Sequence, residues 1–172
     1  GYYAEGYASN YADFSTYGYA ETDLLTLPFQ KSTEILYYNA DALAELEVEL
    51  ETTWDELWEI CRLAKAKWPA STPLGYDSES NWFITMCEQY GSPYTSATGD
   101  HFLFDNEVNR GFVKKMREWF KAGLVTTQEI YGSYTSGLFV QTAENENKSY
   151  MSIGSSAGAT HQRPAKTGEG KY

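Results

Sequence analysis

Cysteine, histidine and proline are scarce: two Cys, two His and five Pro in 172 residues. Cys61 and Cys87 are too few for a disulfide framework and are not spaced as CxxC, which argues against a stapled fold and a structural zinc. Each falls among apolar residues at helical spacing, where a buried, inert thiol is the ordinary outcome and a bridge between the two the lesser alternative. His101 and His161 add no ligand pattern. No apolar run approaches the roughly 20 residues needed to cross a bilayer, and the opening GYYAEGYASN lacks the basic head and apolar core of a secretory signal. Basic residues are few as well, 13 Lys+Arg against 24 Asp+Glu, for a net charge of −11. Such a surface repels phosphate backbones and anionic headgroups, so nucleic acid and membranes are poor partners and a neutral ligand is easier to accommodate. The GxxxxGK[ST] loop, the nucleophile elbow and HExxH are all missing, and nothing calls for a cofactor.

What the chain has in quantity is rings: 15 Tyr, 8 Phe and 5 Trp. Rings bury large areas and stack on sugar or base faces, so a carbohydrate site is within reach of this composition, although most Phe and Trp simply fill a core. The length suits one ordinary domain, burying about 68–70% of the surface its unfolded chain exposes.

Residues 1–22, rich in Tyr, Gly and Ala, read as a helix end running into a loop. Residues 24–29 and 32–38 (STEILYY) read as one connected β element. Asn39 is placed to cap a helix over residues 40–46. Thr53 and Glu56 fit a capping box, and Trp54, Leu57, Trp58, Cys61 and Ala64 recur at steps of three and four, which predicts the clearest helix of the chain. Trp68-Pro69 ends it, and residues 72–76 suit a short strand. A second amphipathic helix is expected over residues 80–90, stopped by Gly91. Residues 92–105 read as a loop with a small hairpin around HFLF, after which Asp105 or Asn106 opens a helix that runs to Gly123. Residues 148–153 (KSYMSI) read as a strand that delivers Gly154-Ser155-Ser156-Ala157-Gly158 to a polar stretch able to form a helix. Unpaired backbone N–H groups and serine hydroxyls at such a turn can grip a sugar hydroxyl, a carboxylate or a phosphate; ordinary turn chemistry is the commoner role.

The order of these segments resembles a family. TLPFQKSTEILYYNADAL, TTWDELWEICRLAK, NWFITMCEQYG, FDNEVNRGFVKKMREWFKAGLV and SYMSIGSSAG together resemble the family 1 extracellular solute-binding proteins of bacterial ABC importers, over residues 24–163. The most specific parts are LPFxxSTxxLYYN and the TWDEL helix, and the sequence looks most like the branch that handles sugars and glycerol phosphates. The resemblance implies an α/β, class II periplasmic-binding-protein-like fold that closes on its ligand through a hinge. The portion present is expected to be the second lobe, mainly helical with a few short strands. It further implies a fragment: residues 1–23 as a remnant of the first lobe or a linker, 24–38 as the hinge-crossing β segment, and 39–172 as an incomplete second lobe.

By the same resemblance the ligand-binding residues are Ser32 at the hinge, Trp82 lining the cleft, and Ser155, Ser156 and Gly158 of the turn. A strand-start Ser and a core Trp are the alternatives for Ser32 and Trp82. The turn departs from the family's Ser-Ser-Gly-Ser order, and Lys31 replaces a smaller polar residue. The implied role is non-catalytic capture of a small solute, a sugar or glycerol phosphate, outside the cytoplasm, in the periplasm or lipid-anchored on the outer face of the bacterial membrane. The implied partners are ABC permease subunits and, for the fragment, a second copy through its cut face. Two other classes fit the composition, an acidic carbohydrate-active enzyme and a non-catalytic interaction module. The enzyme would need two carboxylates across a cleft, but Glu45, Glu47, Asp55, Glu56 and Glu59 fall on faces expected to be solvated.

Overall fold

Residues 6–11, 14–50, 53–96, 101–140 and 148–163 are described by a computed structural model. Four short strands form one mixed sheet: β1 (Glu34–Tyr38), β2 (Leu74–Tyr76), β3 (Val125–Thr127) and β4 (Met151–Ser155), in the order β1-β4-β2-β3. β2 runs parallel to both β3 and β4, with Leu74 opposite Val125 and Met151. β1 is antiparallel to β4, Glu34 facing Ser155 and Tyr38 facing Met151. The two inner strands, LGY and MSIGS, are buried almost throughout, as strands covered on both faces must be.

Among the described residues six α-helices accompany this sheet: α1 (Ala40–Glu45), α2 (Trp54–Lys67), α3 (Glu79–Gln89), α4 (Glu107–Lys121), α5 (Gln128–Tyr131) and α6 (Ser136–Phe139). Five of the six starts are set by side chains that satisfy unpaired first-turn amides, α6 having no such cap. Asn39, Ser78, Asn106 and Thr127 accept from Ala42, Asn81, Asn109 and Ile130. At α2 the box is complete: Glu56 N–H donates to Thr53 Oγ1 at 3.3 Å, and Thr53 N–H donates to Glu56 Oε2 at 3.0 Å. Gly91 and Gly123, both at positive φ, close α3 and α4.

The core lies between the sheet and α2, α3 and α4. Trp119 stacks on Trp58 at 5.0 Å and on Trp82 at 5.9 Å, and Trp82 stacks on Tyr76 of β2 at 5.2 Å. Leu57, Ile60, Met86 and Phe112 fill the space around these rings. Cys61 and Cys87 are both free and buried, and burial pushes the Cys61 thiol up to about 12.

The structure departs from the sequence reading in three places. Of the β element expected over residues 24–29 and 32–38, the strand is Glu34–Tyr38: Leu24 pairs with Tyr7 in an isolated bridge, the Leu25 and Thr26 N–H groups donate to the Gly6 carbonyl, and Leu27 and Phe29 point outward, Phe29 at 89% exposure. Periodicity over residues 124–139 picks out no element, yet β3, α5 and α6 lie there. β4 also extends through Gly154 and Ser155, so the turn begins two residues later than the apolar run suggests. The hairpin around HFLF is present as a bridge between Thr95 and Phe102.

Candidate functional site

Because β2, β3 and β4 are parallel, their C-terminal ends reach the same edge of the sheet, and antiparallel β1 begins there. Open α/β sheets place ligands in the crevice outside such an edge. Here the edge carries Asp77 and Ser78 after β2, Gln128 after β3, Ser155 at the end of β4 and Glu34 at the start of β1, and these line a cleft of about 560 Å³.

Two glycines shape its floor. A Cβ on Gly75 would lie 2.5 Å from the Cβ of Thr135, so only glycine lets the segment ahead of α6 settle onto β2. Thr135, fully buried there, donates its N–H and its hydroxyl to Asp77 Oδ1 at 2.9 and 2.7 Å. The Asp77 N–H donates to the Ile153 carbonyl at 2.9 Å, tying the turn after β2 to β4. A Cβ on Gly154 would lie 2.5 Å from Asp77 Oδ2 and 3.3 Å from Gln162 Nε2, so both polar side chains use the space that its bare backbone leaves.

The walls divide into committed and uncommitted groups. The Glu34 carboxylate accepts from the Tyr76 and Thr85 hydroxyls; burial and this carboxylate hold the Tyr76 phenol well above its ordinary value. Tyr37 donates its hydroxyl to the Ser155 carbonyl at 3.1 Å, and burial together with the nearby Asp77 charge raises its phenol. Gln162 is only 5% exposed, and its Oε1 has no hydrogen-bond partner among the described residues. Tyr134, at 63% exposure, lines the cleft with its ring open to solvent.

Of the residues singled out from sequence, Ser155 and Gly158 line this cleft and Ser32, Ser156 and Trp82 do not. Ser155 Oγ accepts from the Ala157 N–H at 3.1 Å, capping the short 3-10 turn Ser156–His161. Ser156 faces the chain leading into β1. Its N–H donates to the Thr33 carbonyl at 2.7 Å, and its Oγ accepts from the Thr33 N–H at 3.1 Å. Ser32, exposed, precedes that clamp. Trp82 is a correction: at 0% exposure, between Tyr76 and Trp119, it belongs to the core and offers no face to a ligand.

Asp77, Asn81, Gln128, Tyr134 and Gln162 were not anticipated. The available signal was a polar residue just past each short strand, LGY-DS and VTT-Q, but using it requires knowing that the strands are parallel. Among the described residues no group of three His, Cys, Asp or Glu side chains could hold a metal ion, and no helix is long and apolar enough to cross a membrane.

A model of the bacterial extracellular solute-binding proteins matches residues 3–169. The chain belongs to that family. Comparison with curated proteins finds no match. Solute-binding proteins of this family work outside the cytoplasm, capturing small solutes for ABC transporters. The mixed α/β architecture agrees with a lobe of such a protein. A cleft at the carboxyl edge of the sheet is a suitable place for a solute-binding protein to hold its cargo.

Proposed function

We propose that this solute-binding protein captures a neutral, hydroxyl-rich solute, a mono- or oligosaccharide, in the cleft at the carboxyl edge of its sheet. The observation that carries the reading is the exposed Tyr134 ring lining a cleft whose other polar groups are hydroxyls, amides, one imidazole and two carboxylates. A sugar offers an apolar face for stacking and a rim of hydroxyls for hydrogen bonds, and the lining supplies partners for both. Glu34 and Asp77 disfavour a phosphorylated polyol. His161 is the one basic side chain among the lining residues; Lys31 and Arg163 lie outside it.

In this reading residues 24–38 cross between two lobes, residues 39–172 belong to the second, and closure on the solute presents a new outer surface to the permease. Ser155 and Gly158 contact the solute directly, while Ser156 steadies the crossing segment beside Ser32. Calorimetry on the full-length protein tests the ligand class: neutral sugars are expected to bind and glycerol phosphates are not, and the reverse result refutes the proposal. Turnover of chromogenic glycosides would instead place the protein among enzymes.

A further inference from the structure

We infer that Asp77 is a positioning residue for the cleft: it pins Thr135, and through Thr135 it sets the places of Tyr134 and Ser136, the two neighbours that line the cleft. The inference rests on the cleft being the solute site, and it names the group that holds the aromatic wall of that site in place.

Three observations converge. First, α6 is the one α-helix among those described whose N-cap residue, Thr135, makes no side-chain bond to its own first turn. Thr135 instead directs its N–H and its hydroxyl to Asp77 Oδ1, 58 residues earlier in the chain, at 2.9 and 2.7 Å. Thr135 is fully buried, so losing that carboxylate would leave two buried donors unpaired, and the contact holds the segment firmly. Second, Asp77 is anchored to the sheet independently of any solute. Its N–H donates to the Ile153 carbonyl at 2.9 Å, and its Oδ2 uses the space that Gly154 leaves on β4. Third, exposure alternates along the segment that Asp77 grips. Tyr134 is 63% exposed, Thr135 is buried and Ser136 is half-buried; Tyr134 and Ser136 line the cleft and Thr135 does not. The Tyr134 carbonyl also accepts from the Gly137 N–H at 3.1 Å, which couples the first turn of α6 to the same anchor. A ring with so much open surface takes its place from the backbone beneath it, and a site held ready in this way binds without the cost of ordering it.

The test is a double-mutant cycle, read by calorimetry on the full-length protein with glucose, maltose, glucosamine and glycerol 3-phosphate as probes. Asp77→Ala and Tyr134→Ala are each expected to weaken binding about 10–100-fold, and the double variant to bind within about threefold of Tyr134→Ala alone. Asp77→Asn, which keeps an acceptor for Thr135, is expected to bind within about threefold of the parent. Thr135→Val, which removes one of the two bonds while keeping the shape, is expected to weaken binding in the same direction as Asp77→Ala. An equal further loss from Asp77→Ala in the Tyr134→Ala background would mean that Asp77 touches the solute itself, and an Asp77→Asn loss as large as that of Asp77→Ala would mean that its charge acts; either result overturns the inference, as does Asp77→Ala binding like the parent. If glycerol 3-phosphate alone binds, the carbohydrate reading fails, and the same cycle run on that probe still decides the role of Asp77. Should no probe bind, hydrogen exchange decides. Faster exchange over residues 133–139 in both Asp77→Ala and Thr135→Val, with α2 and α4 unchanged, supports the inference, and exchange there that is unchanged, or that rises no more than in α2 and α4, overturns it.

Discussion

Trp82 and Gly75 show how far a residue's role depends on what stands next to it. Trp82 has a ring on either side and no exposed surface, so truncating it empties core volume. Trp82→Ala is expected to cost about 3–5 kcal/mol, read as a lower midpoint in denaturant melts. Gly75 acts through what it allows. With a methyl group there, Thr135 must move, and the two bonds that orient Asp77 go with it. Gly75→Ala is therefore expected to destabilise by about 1–3 kcal/mol and to weaken solute binding beyond the stability loss. Denaturant melts and calorimetry on the same variant separate the two effects.

At the scale of elements, α4 begins with an ion pair whose effect on titration can be read directly. Arg110 grips both oxygens of Asp105 at 2.6 and 2.9 Å, and that contact holds the Asp105 carboxyl below its ordinary value. The pair favours the folded state above the ordinary carboxylate range, and that contribution is lost as the pH falls through the lowered value. Arg110→Gln is expected to return the Asp105 midpoint upward in a carboxyl NMR titration, with little change in stability because both side chains are solvated.

The helices were legible because each long one carries its own start and stop, such as Thr53 with Pro69 or Asn106 with Gly123. The strand β3 was not, since three residues, VTT, are too short to show a period. Trp82 illustrates a different failing. Its spacing to Met86 and Cys87 already put it on the buried face of α3, and only the family resemblance drew it toward the cleft. The serine turn was legible as a place but not as a site. Asp77 and Gln162 are far apart in sequence, and each reaches its place beside Gly154 because that residue has no side chain.

For the whole molecule the governing quantity is a net charge of −11 on 172 residues. Self-repulsion of that size opposes the compact state, and the local pairs among described residues, such as Lys115 with Asp55 at 3.2 Å and Lys67 with Glu45 at 3.0 Å, lie at the surface. Raising ionic strength from about 10 mM to about 150 mM shortens the screening length to about 8 Å. Added NaCl over that range is therefore expected to raise the melting temperature in calorimetric scans; a falling temperature would mean that the surface pairs outweigh the repulsion.

The edge strand β1 also bears on how the chain folds in time. Its clamp joins Thr33 to Ser156 across 123 residues, whereas α2, β2, α3 and α4 follow one another along the chain and share one aromatic core. Closing so long a loop is entropically expensive before any contact rewards it, so the barrier is expected to be crossed with the helical core assembled and β1 still loose. Leu36, the β1 residue packed against that core, should then register late. Leu36→Ala is expected to speed unfolding while leaving the folding rate nearly unchanged, a φ-value near zero in stopped-flow kinetics, whereas a slowed folding rate would place β1 in the nucleus.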